Sequence, residues 1–350
     1  MLSKEIILYE RMKRQSLLDP IDIENRHTEY IELFRLLQPV APVHFTRPGD
    51  PPRLVHRTNI DDFLLSSRLR EKHRMVKGRF IGGRVGYVLQ EDLKLYATVF
   101  RKTLKTIKPI HEEIIGLIKK TGGISKEQLK GELPYTSSEI TKALQSLQEA
   151  FLVYEDQVDT DWDTGWFDFA TEWFEINVSD EEFIDSLKNV ILNFLNGMVF
   201  ASEEQIKSWS SLSIKVIRSV ITVLQEEEKI ALVDIKDLGK GYMRSEDVKE
   251  YKQLTDFRSV FMLDKSDFLV RANMSALKEK YKGYEVLQYL LIDGEFKGAV
   301  IGHWRIGPYD LEDIVVEPEV NTRKEEIIEA IRNIYPEDTT AILKYNGEDL

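Results

Sequence analysis

The sequence predicts an α+β protein whose first three quarters are mainly helical and whose last quarter is mainly built of strands. Two observations support this prediction. Apolar residues at helical spacing, followed by an extended, hairpin-like stretch, recur three times before residue 256. From residue 257 the pattern changes to the alternating or continuous apolar runs typical of strands. We therefore expect three tandem winged-helix (helix-turn-helix) domains followed by a small C-terminal β-barrel.

The first predicted unit, residues 1–108, begins with two amphipathic helices. Ser3 is a suitable N-cap for the first helix, and the second helix should end at Gln38, because Pro39 disfavours a helical conformation in the residue before it. Five prolines between residues 39 and 53 predict a loop. A further helix then precedes a hairpin at "RMVKGRFIGGRVGYVLQ", whose glycines mark the turn.

The second and third units, residues 109–178 and 179–256, repeat this order. Each contains three helical segments followed by strand-like sequence, and the second also carries an acidic, aromatic insert, "WDTGWFDFATEWF". The last unit, residues 257–350, reads as strands, including "SVFMLDKSDFLVRAN", with one late helix at "NTRKEEIIEAIRNIY". The pair Asp293-Gly294 within it is a strong signal for a two-residue hairpin turn.

Charge is distributed unevenly along the chain. The 48 Lys and Arg residues and 60 Asp and Glu residues give a net charge of −12. Residues 53–108 nevertheless carry fourteen Lys or Arg and five Asp or Glu, so the rest of the chain carries −21. Residues 143–187 contain thirteen acidic residues and no Lys or Arg. One end therefore suits a polyanion such as double-stranded DNA, and the acidic middle suits water or a basic protein partner.

The composition also excludes several kinds of chemistry. The absence of cysteine excludes disulfides, thiolate metal sites and a cysteine nucleophile. The six histidines lack the spacing of a metal pair on one helix, and "GGRVG" lacks the ending of a nucleotide-binding loop. No apolar stretch is long enough to span a membrane, and the first residues do not read as a signal peptide. We expect a cytoplasmic protein without a metal, a cofactor or a nucleotide.

Four segments resemble the winged-helix DNA glycosylases of the AlkZ type, a family that unhooks alkylated and crosslinked bases. They are "RMKRQSLLDP", "KGRFIGGRVGYVLQEDL", "NGMVFASEEQIKSWSSLS" with Trp209 at the matching aromatic place, and "EVLQYLLIDGEFKGAVIGHWRIG" with Gly302, Trp304 and Arg305. The resemblance covers the chain from end to end. It implies three winged helices and a β-barrel around a DNA-sized concavity, and hydrolysis of the N-glycosidic bond of a damaged base.

The catalytic signature of that family falls on "LLQPVAP", at the end of the second helix. The signature is a Gln, one apolar residue, and then Gln or Asp. Gln38 takes the first place and is the catalytic residue that the resemblance implies, whereas Val40 takes the second. Breaking a base–sugar bond builds positive charge on the sugar, and Val40 has no polar atom to help stabilise it or to hold a water.

Two interpretations of this departure stay open. Gln38 acts alone or with a group from the following loop, His44 or Asp50, in an active glycosylase. Alternatively, Gln38 only caps a helix end. In that case the protein is a catalytically silent DNA-binding damage sensor or transcriptional regulator.

The basic segment supplies the candidate DNA contacts, because Lys and Arg neutralise phosphates and glycines allow close backbone approach. Together with Arg305, which comes from the resemblance, the expected contacts are Arg53, Arg57, Arg68, Arg70, Lys72, Arg74, Lys77, Arg79 and Arg84. A solvated helix face is the alternative. The predicted reading helices of the second and third units contain few basic residues, which favours recognition of DNA shape or of a lesion over base-sequence readout.

The acidic insert contains aromatic residues that are able to stack on bases, including Trp162, Trp166 and Trp173. The surrounding carboxylates would repel phosphates. We therefore expect these aromatic side chains to pack the insert against a neighbouring domain.

Overall fold

The computed structural model describes residues 2–43, 49–156, 165–249, 257–303 and 310–350, and it has the mixed α and β content that the sequence predicts. The elements of the N-terminal part are α1 (Lys4–Arg14), α2 (His27–Leu37), α3 (Phe63–Glu71), β1 (Met75–Arg79), β2 (Val85–Leu89) and α4 (Leu93–Phe100). Ser3 caps α1 as predicted, since its hydroxyl accepts a hydrogen bond from Ile6 N at 3.4 Å. Helix α2 ends before Pro39, with Gln38 in an extended conformation.

The next region has an apolar core of its own, which extends from Ile114 to Trp166. Its elements are α5 (Pro109–Thr121), β3 (Ile124–Ser125), α6 (Lys126–Glu132), α7 (Ser137–Glu149), β4 (Val153–Asp156), β5 (Gly165–Asp168) and α8 (Phe169–Glu172). The three strands form a sheet in the order β3-β5-β4. Helix α5 ends at Gly122, whose φ of +72° suits glycine.

The second half of the chain contains three helices and a hairpin, then a mixed α and β region. The first group is α9 (Phe183–Met198), α10 (Glu203–Ser210), α11 (Ile214–Glu226), β6 (Ile230–Ile235) and β7 (Gly239–Arg244). The second is β8 (Val260–Asp264), α12 (Phe268–Lys280), β9 (Val286–Ile292), β10 (Glu295–Ile301), β11 (Asp313–Val316), α13 (Lys324–Arg332), β12 (Lys344–Tyr345) and β13 (Glu348–Asp349). Within the described ranges, no helix has the length and apolarity needed to cross a bilayer.

The C-terminal strands form an open sheet, so the predicted small barrel is wrong for the described residues. The strand order is β13-β12-β11-β10-β9-β8, with β8 and β13 at opposite edges. Strands β12 and β13 have only two residues each, which leaves too short a ladder to close the sheet against β8.

The strand prediction for residues 259–273 is correct only for its first part. Strand β8 ends at Asp264, and α12 begins at Phe268. The N-cap of α12 is Asp267, whose Oδ1 accepts a hydrogen bond from Leu269 N at 2.8 Å. A short apolar run such as "DFLV" fits a buried strand or a buried helix equally well, and the cap decides between them here.

One apolar core joins the N-terminal hairpin, the helices α9 to α11 and helix α12; its members extend from Met12 to Ile301. Trp209 lies within it, with its ring centroid 4.6 Å from that of Phe194 and 6.0 Å from that of Phe268. Because these elements share one core, the hairpin and α12 are held in a fixed position relative to each other.

Candidate nucleic-acid interface

A cleft with a volume of about 1090 Å³ lies between the β1–β2 hairpin and α12. The loop after α2 and the hairpin form one wall; α12, the turn after it and β9 form the other. Among the described residues the lining has six cations and three acids: Lys77, Arg84, Lys265, Arg271, Lys278, Lys282, Asp50, Glu155 and Glu285. A concave surface with an excess of positive charge concentrates the electrostatic potential and attracts polyanions.

Helix α12 contributes a basic stripe to this cleft. Arg271, Met274 and Lys278 follow one another at helical spacing and all line the cleft, and Lys282 follows in the turn after the helix. The spacing of these residues is visible in the sequence. It could not be recognised as a basic stripe while residues 259–273 were predicted to form a strand, because these residues lie on one face only if the segment is helical.

Two of the predicted DNA contacts, Arg57 and Arg70, are buried and bind protein groups. The guanidinium of Arg57 lies 2.7 Å from Asp267 and donates to Gln15 Oε1 at 3.0 Å. Arg70 donates to the carbonyl of Gly49 at 2.5 Å. Burial of these guanidiniums at protein acceptors does not support the predicted phosphate contacts at these two positions.

The acidic middle of the chain neutralises part of the basic segment. The contacts that join the two include Lys77 with Glu155 and His73 with Asp156, each at 2.9 Å, and Arg79 with Gln148 at 2.8 Å. The acidic middle therefore has a basic partner within the chain, in the N-terminal hairpin. Binding of a separate basic protein stays a prediction.

The other predicted contacts differ in how accessible they are. Arg53 pairs with Asp61 at 2.6 Å, and Arg74 pairs with Glu91 at 2.9 Å. Three are exposed and form no ion pair with a described residue: Arg68, Lys72 and Arg84. Of the predicted contacts that fall in the described part of the chain, only Lys77 and Arg84 line the cleft. Arg305 and its neighbour Trp304 lie outside the described residues.

Gln38 is buried, with 1 % of its surface exposed, and both ends of its amide bind neighbouring groups. Its Nε2 donates to Asp92 Oδ2 at 2.8 Å, and its Oε1 accepts from Leu89 N at 2.9 Å. Val40 forms two backbone hydrogen bonds with Tyr87. The segment after α2 therefore pairs with strand β2 through Val40, and the Gln38 side chain adds a further hydrogen bond to the same strand. Gln38 does not line the cleft, and its amide holds the hairpin rather than the end of α2, so its geometry favours a structural role over a catalytic one.

We expect Gln38→Ala to lower the free energy of unfolding by about 1–3 kcal/mol, because the buried N–H of Leu89 would lose its acceptor. DNA affinity and base release should stay at wild-type levels. Urea unfolding and fluorescence anisotropy with labelled duplex DNA measure the two effects. Gln90→Ala, at an exposed neighbouring position, is the control and should leave stability unchanged. A Gln38→Ala protein with normal stability and no base release would restore the catalytic interpretation.

Asp50 brings a carboxylate to the cleft wall close in sequence to the predicted catalytic motif. It is 6 % exposed, and Arg53 Nη2 lies 3.5 Å from its carboxylate. Arg70 holds the preceding residue, Gly49, through the carbonyl. Two residues predicted to contact DNA therefore anchor the segment that carries Asp50. His44, the other group considered for this role, lies outside the described residues.

Tyrosines add flat aromatic surface to the second wall of the cleft. Tyr284 is 52 % exposed and suits stacking on a base. Tyr281 is buried, its hydroxyl has no hydrogen-bond partner among the described residues, and burial raises its pKa above the ordinary value. Burial also raises the pKa of Tyr289. The lining thus combines cations for phosphates with aromatic surface for bases.

Several aromatic side chains of the insert pack inside the protein, as predicted, whereas Phe174 is 80 % exposed. Trp166, Phe169 and Trp173 are all buried, and Trp173 makes edge contacts with the rings of Tyr154 and His73. Trp162 lies outside the described residues. Within the described part of the chain, no three His, Asp or Glu side chains are grouped so that they could hold a metal ion.

Comparison with known proteins gives a match at the level of structure. No protein-family model and no curated protein sequence matches this chain. Among solved structures, the Streptomyces sahachiroi DNA glycosylase AlkZ matches with a TM-score of 0.71 and 13 % sequence identity, over 98 % of this chain and 99 % of AlkZ. The predicted resemblance to AlkZ is thus confirmed in three dimensions: this protein has the fold of AlkZ along nearly its whole length.

Proposed function

We propose that this protein binds double-stranded DNA in the cleft and acts as a DNA glycosylase-like hydrolase on the N-glycosidic bond of alkylated or crosslinked bases. The cation-rich lining of the cleft carries this proposal, in a fold shared with a DNA glycosylase. Cations on both walls suit the phosphates of a duplex. The interior then receives the damaged nucleotide, which an enzyme acting on a base must expose or reach in the groove.

In this proposal the chain is organised as three winged-helix units, residues 1–108, 109–178 and 179–256, and a C-terminal unit, residues 257–350. The first and last units grip DNA through the hairpin and α12. The second unit contributes Glu155 to the cleft lining, but this carboxylate is paired with Lys77 of the hairpin, and the neighbouring Asp156 is paired with His73. Helix α11 is poorly suited to reading bases, since Arg218 is paired with Glu203 at 2.9 Å. Recognition therefore depends on the shape of the DNA or on the lesion.

Asp50 is the residue that we assign to the chemical step. As the base leaves, positive charge develops on the sugar, and a carboxylate beside it stabilises that charge or orients a water. The position of Asp50 at the wall of the cleft, with little exposure to solvent, strengthens such an interaction. Anchoring by Arg53 and through Gly49 keeps the carboxylate in place.

One observation favours the second candidate function, a catalytically silent binder that senses damaged DNA. Gln38 is committed to Asp92 and Leu89, and Val40 offers no polar side chain, so the predicted catalytic motif is without a free polar group. Release of free base from duplex DNA that carries N7-methylguanine separates the two candidates. An enzyme releases the free base, whereas a silent binder binds the duplex and releases no base.

Removing two cleft cations, Lys278→Gln with Lys282→Gln, is expected to weaken duplex binding and to flatten its salt dependence. Each lost phosphate contact should reduce the slope of log K against log salt concentration by about 0.9. Fluorescence anisotropy titrations at a series of salt concentrations measure both quantities.

The matched control is Lys215→Gln with Lys229→Gln, which removes the same charge from exposed positions on and after α11. It should leave affinity and slope close to those of the wild type. A larger loss in the control than in the cleft variant would place the DNA on α11. Absence of any duplex binding by the wild-type protein would refute the proposed function.

A further inference from the structure

A smaller recess with a volume of about 260 Å³ opens beside the cleft. It lies where the end of the β1–β2 hairpin meets the end of α10 and the middle of α12. Its described charged and hydroxyl side chains are four cations and three serines, with no carboxylate among them: Arg84, Lys207, Arg271, Lys278, Ser208, Ser211 and Ser275. Arg84, Arg271 and Lys278 line both the recess and the cleft, so the two are continuous.

Arg271 is a buried cation without a paired anion. It is 6 % exposed, its Nε has no hydrogen-bond partner, and its guanidinium forms no ion pair with any described residue. Burial, and to a smaller extent the nearby charge of Arg84, lowers the pKa of Arg271 to about 10. Buried charged groups in proteins are normally paired, so this one indicates a missing partner.

The two carboxylates whose charge acts on Arg271, Asp264 and Asp267, are engaged elsewhere. Asp267 pairs with Arg57 at 2.7 Å and caps α12. Asp264 Oδ1 accepts from Ser266 N at 2.7 Å and from Ser266 Oγ at 2.6 Å. Both carboxylates favour the charged form of Arg271 from a distance, but neither forms a hydrogen bond with it. An anion from outside the chain can therefore still bind its donors.

Arg11 shows what a structural buried guanidinium looks like in this protein. It is 7 % exposed, and burial lowers its pKa to about 10, as for Arg271. Its Nε, however, donates to Met198 O at 2.9 Å, and its Nη2 donates to Phe200 O at 3.0 Å. The two residues match in burial and differ in whether a protein acceptor is present.

The tip of the hairpin completes the recess. Gly82 adopts a φ of +63°, and a Cβ at this position would lie 3.3 Å from Ser211 Oγ. Glycine therefore allows the tip to rest against the end of α10, where Arg84 and Arg271 line the same recess. Neither guanidinium has a described ion-pair partner, so an anion between them would relieve their mutual repulsion.

We propose that this recess binds one backbone phosphate of the DNA strand that lies in the cleft. The proposal rests on the proposed function, because it takes that strand to be the ligand. The guanidinium groups of Arg84 and Arg271 match the oxygen geometry of a phosphodiester, and Lys278 and Lys207 add positive charge. The hydroxyls of Ser211 and Ser275 are further donors, whereas that of Ser208 already donates to the carbonyl of Arg271 at 2.7 Å. A phosphate fixed here sets the position of the strand relative to Asp50.

Arg271→Met tests the site, because methionine keeps much of the side-chain volume and removes the charge. Duplex affinity should fall on the order of 10- to 100-fold, as expected for loss of charge-assisted hydrogen bonds. The melting temperature should stay the same or rise, since an uncompensated buried charge is removed. Arg11→Met, the matched control, should lower the melting temperature and leave the affinity of the folded protein unchanged. A destabilised Arg271→Met protein with normal DNA affinity would overturn the proposal.

Duplexes with a single neutral methylphosphonate at successive positions identify the phosphate. Wild-type protein should lose affinity at one position, and Arg271→Met should show no further loss there. Independent, additive losses at every position would overturn the phosphate subsite and leave DNA binding in the cleft intact. If the wild type binds no duplex, but inorganic phosphate raises its melting temperature and Arg271→Met removes that effect, both the proposed function and the DNA phosphate are refuted and only an anion site stands.

Discussion

Asp50→Asn is expected to slow the release of free base from duplex DNA carrying N7-methylguanine by about 10²- to 10⁴-fold. Asparagine has nearly the same shape but no charge, so it loses the stabilisation of the positive sugar and most of the ability to activate water. Because Asp50 lies at the cleft wall and is 6 % exposed, the loss of charge should affect the chemical step more than binding. Single-turnover assays with enzyme in excess isolate that step.

The control for Asp50→Asn is Asp61→Asn. Asp61 shares the same arginine, since Arg53 Nη1 lies 2.6 Å from its carboxylate, but it is exposed and outside the cleft. Asp61→Asn should release base at the wild-type rate. Equal rates for Asp50→Asn and wild type would remove Asp50 from the mechanism. A wild-type protein that binds the duplex and releases no base would favour the silent damage sensor.

The second large effect concerns stability. Arg57→Met should lower the free energy of unfolding by about 3–5 kcal/mol, because it removes a buried charge from an ion pair and leaves the half-buried carboxylate of Asp267 without its cation and Gln15 without its donor. The pair joins the loop after α2 to the start of α12, and so connects the two walls of the cleft at their base. Chemical denaturation followed by tryptophan fluorescence and by circular dichroism measures the change.

Arg68→Met is the matched control for Arg57→Met. Arg68 was predicted from the same basic segment, but it is exposed and has no described ion pair. Its replacement should change stability by less than about 0.5 kcal/mol. If Arg57→Met is nearly as stable as wild type and loses DNA affinity strongly, Arg57 is a DNA contact after all.

The position of most helices and hairpins was predictable because the signals that set them are local. Ser3 caps α1 over three residues, Pro39 ends α2, and Asp293-Gly294 turns between β9 and β10 with positive φ at both residues. Charge segregation was also visible in the sequence, since it needs only a count along the chain. The motifs that resemble those of AlkZ-type glycosylases can likewise be identified from the sequence alone.

The site itself depended on pairings that no local signal contains. Arg57 meets Asp267, which is 210 residues away, and His73 meets Asp156, which is 83 residues away. These contacts turn much of the predicted DNA-binding segment into structural ion pairs. Arg84 and Arg271 come from opposite ends of the chain and face one recess.

The sequence by itself therefore determined the α and β content, the order of most elements, with α12 as an exception, and the presence of an electropositive region. The tertiary structure alone decided which cations bind protein carboxylates and which remain available to DNA, and it placed Gln38 inside the protein and Asp50 at the cleft. The physical reason is the separation along the sequence over which each kind of interaction acts. Caps and turns are set by neighbours within about four residues, whereas the partner of a charge is whichever group the fold brings within hydrogen-bond distance.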